Sequence, residues 1–179
     1  MLKYLQVISM EYKFRLAEHK DCERISYLKK TIWGTTYRGI YKDELLDNFD
    51  LEKQTEKFKR MVDSETQLYV IETEKEIIGY FAFGKPYHQY EDYQIEFSLL
   101  YILKEYQGKG IGSSVFKFVE DKIEKMAIDK FYLCCNKYNY NAQKMYEKMG
   151  GKIIKIDEDD SEKDRVQIYY EYDLKKIKK

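Results

Sequence analysis

The sequence predicts a single domain of the mixed α/β class, built on a central mixed sheet of about six to seven strands flanked by helices. Three observations lead to this class. The chain has 179 residues, which suits one compact core. Strand-like and helix-like segments follow one another without a linker or an internal repeat. Between residues 95 and 135 a strand, a helix and a strand occur in turn, an order that favours a parallel, right-handed crossover.

The N-terminal part begins with a strand and continues with helices. Tyr12–Leu16 alternates apolar and polar residues, as a half-buried strand does. Three segments with helical periodicity or helix-forming composition come next. They span Asp21–Thr35, Asp43–Asn48 and Leu51–Val62.

The rest of the chain is richer in strands. Tyr93–Leu103 gives the strongest strand signal, because its apolar run is nearly continuous. A helix with apolar residues at 115, 116, 119, 123 and 126 follows it, and a later helix over Asn141–Met149 ends at Gly150-Gly151. We expect one domain over residues 1–179, with 1–9 and 174–179 peripheral. The other predicted strands are Leu68–Glu72, Ile77–Phe83, Lys130–Cys135, Lys152–Ile156 and Val166–Tyr172.

Composition argues against several classes of protein. Lysine plus arginine and aspartate plus glutamate both number 32, so the chain lacks the basic excess of a nucleic-acid-binding protein. No apolar run is long enough to span a membrane. The three cysteines, Cys22, Cys134 and Cys135, lack the spacing of a disulfide framework or zinc site, so we expect no metal and a reducing compartment. Met1–Ser9 does not have the pattern of a signal peptide, and a cytoplasmic location is the expectation.

A glycine-rich loop between the strongest strand and the next helix carries the main functional signal. It reads Gln107-Gly108-Lys109-Gly110-Ile111-Gly112, with the hydroxyl of Ser113 just after it. The first N–H groups of a helix have no internal partner and lie at the positive end of its dipole. Glycines let the backbone approach an anion, so the loop predicts a phosphate cradle. The spacing fits neither a P-loop nor a dinucleotide fingerprint, while a purely structural tight turn stays open as an alternative.

Three motifs together resemble one family. Gln107, Gly110 and Gly112 fit the pattern Gln/Arg-x-x-Gly-x-Gly/Ala, and residues 139–150 fit Asn-x-x-Ala-x-x-x-Tyr-x-x-x-Gly. Residues 33–40 give a weaker third match. On these residues the chain resembles the GNAT superfamily of acyl-CoA N-acyltransferases over roughly residues 12–172. Gly151 departs from the pattern, since the family usually has an aromatic residue there, and we expect a local change in packing.

The resemblance implies a fold and a co-substrate. In this family the sheet splays open between its fourth and fifth strands, which correspond here to Tyr93–Leu103 and Lys130–Cys135, and acetyl-CoA lies in the gap. The pantetheine arm would bind the backbone at the end of the fourth strand, and the pyrophosphate would bind the N–H groups of the loop. The cofactor-binding residues implied are Leu100, Tyr101, Ile102, Gln107, Gly108, Lys109, Gly110, Ile111, Gly112, Ser113 and Asn139.

The resemblance also implies a mechanism, in which a primary amine of a small molecule attacks the thioester directly within a ternary complex. Tyr146 is the candidate general acid for the departing thiolate, with a packed core tyrosine as the alternative. Glu96 is the candidate base, with a paired strand glutamate or a relay of waters as alternatives. Cys134 and Cys135 are not required as nucleophiles, because the family forms no acyl-enzyme.

The acceptor is the least specified part of the prediction. Tyr37 and Tyr41 are the weak candidates for substrate contacts, together with the aromatic and charged residues Tyr87, His88, Glu91 and Asp92. An N-acetyltransferase of protein N-termini or lysines is the alternative within the same class. A non-catalytic CoA-sensing module and a nucleotide-binding regulator are the alternatives from other classes. A homodimer would fit the family.

Overall fold

The computed structural model of the protein describes residues 11–87, 89–157 and 162–177, and it confirms the mixed α/β class. Residues 1–9 and His88, which were named in the predictions above, lie outside the described residues. The strands are β1 (Lys13–Leu16), β2 (Gln67–Glu72), β3 (Ile77–Gly84), β4 (Glu96–Ile102), β5 (Lys130–Asn136), β6 (Lys152–Ile156) and β7 (Gln167–Asp173). The helices are α1 (Cys22–Thr36), α2 (Asp43–Asp47), α3 (Leu51–Val62), α4 (Ile111–Lys125), α5 (Tyr140–Lys148) and α6 (Leu174–Ile177).

All seven described strands form one sheet in the order β1-β2-β3-β4-β5-β7-β6. Only β4 and β5 run parallel, and every other neighbouring pair is antiparallel. The parallel pair is joined at a single position, Glu96 opposite Tyr132, where the Tyr132 N–H donates to the Ile95 carbonyl at 3.3 Å. Beyond this position the two strands diverge. The predicted splay between the fourth and fifth strands is therefore confirmed.

Strand β4 is shorter than predicted and contains an irregularity. Its pairing with β3 passes from Phe97 directly to Leu99 while β3 advances by one residue, so Ser98 is the extra residue of a bulge. A bulge reverses the alternation of side chains along a strand. Phe97 before it and Ile102 after it consequently face the same core, and Glu96 shares the opposite face with Tyr101.

The two faces of the sheet are covered by different helices. On one face the apolar side of α4 packs on β4, β5 and β7, and Leu174 at the start of α6 is buried in the same core. On the other face α1 and α3 cover β2 and β3. None of the helices in the described ranges is long and apolar enough to cross a membrane. The open end of the sheet between β4 and β5 is thus bounded by α4 and α5 on one face and by the end of α1 on the other.

Candidate active site

The glycine-rich loop is held by backbone conformations that favour glycine. Gly108 has φ +73° and Gly110 has φ +83°, both in the left-handed region, and Gly110 is the N-cap of α4. No atom lies within 4 Å of a Cβ built at either residue, so the backbone is open on that side. Gly112 has another role, because a Cβ there would lie 3.0 Å from the methyl carbon of Met145 on α5. The loop therefore presents an open backbone and lets α4 and α5 approach closely.

Side-chain hydrogen bonds fix this loop to its surroundings. The Gln107 Nε2 donates to the Ile102 carbonyl at 2.8 Å, which joins the loop to the end of β4. Tyr12 Oη donates to Ser114 Oγ at 2.8 Å, and Ser114 Oγ in turn donates to the Gly110 carbonyl at 3.3 Å. Since the first N–H groups of α4 have no partner within the helix, the loop offers fixed donors to an anion. An open backbone at the beginning of a helix is the arrangement that binds phosphate groups in proteins.

The edge of β4 that faces the opening carries backbone groups available for a ligand. The Tyr101 carbonyl points toward β3, where it lies 2.6 Å from a Cβ built at Gly79. Neighbouring residues of a strand direct their backbone groups to opposite edges. The backbone groups of Leu100 and Ile102 consequently face the opening, and the Ile102 carbonyl is the one that Gln107 binds. Of the three residues predicted on β4, Leu100 and Ile102 thus direct their backbone groups to the opening and Tyr101 directs its own to β3.

Tyr146 lies on α5, half-buried near Cys134 and Cys135 at the end of β5. Burial raises the pKa of this phenol well above its ordinary value, and the neighbouring thiol of Cys135 and hydroxyl of Tyr37 raise it further. The ring packs against Phe116 at a centroid distance of 5.9 Å. The Tyr146 phenol is thus protonated at physiological pH.

The C-terminal end of α5 is held in place by a second tyrosine. Tyr172 Oη donates to the Tyr146 carbonyl at 2.9 Å. A Cβ built at Gly151 would lie 2.7 Å from the same hydroxyl and 3.0 Å from the same carbonyl. The space beside Gly151, the residue that departs from the family pattern, is therefore filled by the phenol of Tyr172.

Tyr37 reaches into the opening from the end of α1. Burial raises the pKa of its hydroxyl, whereas the Tyr101 hydroxyl and the Asn139 amide, which approach it from the two sides of the opening, lower that pKa. Tyr41 stacks on the Tyr37 ring with centroids 4.4 Å apart. Asn139 also has a structural role, since its Oδ1 accepts from the Ala142 N–H at 3.2 Å and caps α5. Four of the predicted residues are thereby brought together at the mouth of the opening.

The half-buried Trp33 ring, whose Nε1 atom is buried, lies next to this group of tyrosines. Trp33 Nε1 has no hydrogen-bond partner of good geometry in the part of the chain that the structure describes. Burial raises the pKa of the Tyr101 hydroxyl, and the nearby Trp33 N–H partly offsets this rise. The Trp33 ring also packs edge-on against Tyr37 and Tyr41. These ring contacts hold Tyr37 and so fix the position of its hydroxyl.

Glu96 lies at the closed end of the splay, where β4 and β5 still pair. The Tyr132 phenol, directly opposite on β5, hydrogen-bonds the Glu96 carboxylate, and burial followed by this charge raises the pKa of that phenol. The charge of Glu96 also acts on Cys134, two residues further along the same face of β5. The carboxylate therefore faces the same side of the sheet as Cys134 and Tyr132.

Strand β5 carries two neighbouring thiols, those of Cys134 and Cys135. Burial raises the pKa of Cys134 to about 12 and that of Cys135 to about 12. Because a thiol of this pKa is almost entirely protonated near pH 7, neither cysteine is a ready nucleophile.

Other predicted residues lie apart from this group. Tyr87 is 90% exposed, and Glu91 and Asp92 are exposed as well. His88 lies outside the described residues. Ser113 and Lys109 are exposed at the loop, with Lys109 Nζ 5.3 Å from the centre of the Tyr106 ring. No cluster of three or more potential metal-ligating His, Cys, Asp or Glu residues occurs in the ranges 11–87, 89–157 and 162–177.

Sequence reasoning missed three residues that shape the site. These are Tyr132, which binds Glu96, Met145, which packs on Gly112, and Tyr172, which holds the end of α5. Only Tyr132 could have been found from the sequence. It alternates with the apolar residues of its strand, which indicates that it faces away from the α4 core. The other two depend on which elements meet in space.

Known structures share this architecture. A PaiA N-acetyltransferase from Thermoplasma acidophilum in complex with coenzyme A is 21% identical, with a TM-score of 0.75 over 92% of this chain and 99% of that one. YncA from Salmonella typhimurium, with its cofactor acetyl-CoA, is 16% identical, with a TM-score of 0.66 over 91% of this chain and 94% of that one. FdhC, a nucleotide-linked sugar GNAT, is 22% identical, with a TM-score of 0.67 over 95% of this chain and 90% of that one.

These similarities establish the fold, and the sequence itself establishes the family. The model of the Acetyltransferase (GNAT) family matches residues 31–151, about two thirds of the chain. The match includes the glycine-rich loop, both splayed strands and the whole of α5. The chain therefore belongs to the GNAT acetyltransferase family.

Proposed function

We propose that the protein transfers the acetyl group of acetyl-CoA to a primary amine of a small molecule, by direct attack within a ternary complex. The observation that carries the proposal is the position of the half-buried, protonated Tyr146 phenol. It lies at the open end of β5, on the opposite side of the opening from the free edge of β4. An acetyl thioester held along that edge would have a proton donor close to its sulfur.

Different residues along the opening have different roles in this proposal. The N–H groups of residues 108–113 bind the pyrophosphate, and the backbone of Leu100 binds the pantetheine arm. Glu96, which hydrogen-bonds the Tyr132 phenol, accepts the proton of the attacking amine directly or through water. Tyr146 donates a proton to the departing thiolate. The Tyr37 hydroxyl, in contact with Tyr101 and Asn139, borders the reacting carbonyl.

Direct attack predicts that the cysteines are dispensable. We expect Cys134→Ala to retain kcat within about twofold, because the thiol is protonated and no acetyl-enzyme forms. The measurement is steady-state release of CoA thiol, together with the intact mass of the enzyme after incubation with acetyl-CoA. Cys22→Ala, which changes a buried cysteine at the first position of α1, is the matched control. A stable mass increase of one acetyl group that disappears in Cys134→Ala would contradict direct attack.

The activity itself is tested by the release of CoA thiol across a panel of amines, with binding of acetyl-CoA measured in parallel. The panel contains alkylamines, diamines, amino acids, amino sugars and a lysine peptide. We expect turnover with at least one small amine and slower turnover with the peptide. Preference for the peptide would favour a protein acetyltransferase. Tight binding of acetyl-CoA without any turnover would favour a sensing module, and a preference for ATP or NAD would contradict the co-substrate.

A further inference from the structure

Four tyrosines form a contiguous group on the face of the sheet that carries Glu96. This tyrosine cluster consists of Tyr90, Tyr93, Tyr132 and Tyr169. Tyr90 is central, with ring centroids 5.0 Å from Tyr169, 5.4 Å from Tyr132 and 5.9 Å from Tyr93. Tyr93 and Tyr132 are 5.2 Å apart. The cluster draws its members from two strands and the connection before β4, so the fold and not local sequence assembles it.

A positive charge of the protein already lies on this cluster. The Lys155 Nζ is 4.7 Å from the centre of the Tyr169 ring and 5.9 Å from that of Tyr90. Both distances are within the range of an attractive cation–π contact. The same ammonium group is 3.1 Å from Asp157 Oδ1. Lys155 thus shows that the cluster accepts an alkylammonium ion.

The surroundings of the cluster favour a cation. Tyr93 Oη donates to Glu171 Oε2 at 2.6 Å, and the Tyr132 phenol hydrogen-bonds Glu96. With Asp157 beside Lys155 and Glu91 hydrogen-bonded to the Tyr90 phenol, four carboxylates border the rings. Three lysines are near these carboxylates: Lys155, Lys152, which is paired opposite Glu171, and Lys130, whose Nζ is 3.0 Å from Glu171 Oε2. The negative charges outnumber the positive ones in this part of the described structure.

Lys155 is held weakly enough to be displaced. It lies on β6, the edge strand of the sheet, and its side chain remains 45% exposed. An ion pair of such exposure contributes little free energy, and the cation–π contact adds a similarly modest amount. A substrate ammonium could therefore replace the Lys155 ammonium on the rings while Lys155 moves into solvent.

We propose that the tyrosine cluster binds the second, non-reacting ammonium group of an alkyl diamine or longer polyamine acceptor, and that Lys155 occupies this site until the substrate displaces it. The inference rests on the proposed amine acetylation and specifies its substrate class. The cluster is linked to the reacting end through Tyr132, whose phenol binds the candidate base Glu96. One ammonium would lie on the rings while the neutral amine lies near Glu96.

The kinetic test removes the internal competitor. We expect Lys155→Met, which keeps the apolar stem, to lower KM for 1,4-diaminobutane about three- to tenfold relative to KM for butylamine. Lys75→Met is the matched control, because Lys75 is exposed in the turn between β2 and β3 and lies far from β6 and β7 in the sheet. It should leave both KM values unchanged. A higher KM for the diamine in Lys155→Met would overturn the inference.

A binding test separates this inference from the proposed function. Tetramethylammonium cannot be acetylated, and its binding can be followed by the NMR shifts of the tyrosine rings. We expect Lys155→Met to bind it several-fold more tightly than the wild type, and Tyr169→Leu in the Lys155→Met background to lose this gain. Equal affinity in all variants would overturn the inference. Tighter binding without acetylation of any amine would uphold the cation site and contradict the proposed activity.

Discussion

Replacing Tyr146 by phenylalanine is expected to lower kcat by about a hundredfold or more, the usual effect of removing a general acid. The ring packs between Phe116 and Tyr170, and phenylalanine preserves these contacts. The change therefore removes the proton donor and little else. KM for acetyl-CoA should change by less than about threefold, since the pyrophosphate and pantetheine contacts lie on the loop and on β4.

The matched control for this variant is Tyr170→Phe. Tyr170 is a buried neighbour whose ring centroid is 5.9 Å from that of Tyr146, and its hydroxyl contacts Glu147 at 3.5 Å. Its loss should leave kcat near the wild-type value. The measurements are steady-state kinetics with a saturating amine and thermal unfolding of each variant. Equal kcat values in the wild type and Tyr146→Phe would show that the phenol only packs, and water would then be the proton source.

Replacing Gly151 by alanine is expected to destabilise the fold by about 1–3 kcal/mol, the usual cost of overpacking. The added Cβ would lie 2.7 Å from Tyr172 Oη and 3.0 Å from the Tyr146 carbonyl, so the hydrogen bond between them must break or shift. For a chain of this length the midpoint of thermal unfolding should fall by roughly 2–4 °C for each kcal/mol. Calorimetry or circular dichroism provides the measurement.

A double-mutant cycle identifies the cause. Tyr172→Phe alone loses one hydrogen bond, at a cost of about 1 kcal/mol. In the Tyr172→Phe background, Gly151→Ala should cost less than in the wild type, because the closest obstructing atom is gone. Gly34→Ala is the control, since nothing lies within 4 Å of its built Cβ and alanine is favoured within a helix. Strict additivity of the two changes would contradict the proposed steric cause.

Local signals predicted the elements well wherever the determinants are close in sequence. The helix predicted over Leu51–Val62 has those bounds in the structure, where Asp50 accepts from the Lys53 N–H at 2.9 Å and caps it. Strand β4 was predicted too long. Tyr93 is buried in a connection, bound to Glu171 on β7, and an apolar run alone cannot distinguish such a connection from a strand.

The same distinction between determinants that are close in sequence and determinants that are distant applies to the residues of the site. The glycine-rich loop and Tyr146 belong to motifs within single segments, so their positions could be predicted before the fold was known. The pair of Glu96 and Tyr132 depends on the register between β4 and β5, and the contact of Lys155 with Tyr169 depends on the pairing of β6 with β7. Neither register can be derived from one sequence, because each is set by packing between segments far apart along the chain.

The splay between β4 and β5 has a thermodynamic consequence. A strand edge that lacks a neighbouring strand contributes no ladder hydrogen bonds to the folded state, and in the described structure the edge of β4 beyond Glu96 lacks one, although Gln107 binds the Ile102 carbonyl. A ligand that binds there binds only the native chain. Its free energy of binding therefore adds to the free energy of unfolding, by about 2.7 kcal/mol when its concentration is a hundred times its Kd. Through this coupling, the supply of acetyl-CoA would affect the free energy of unfolding of the protein as well as its rate of acetylation.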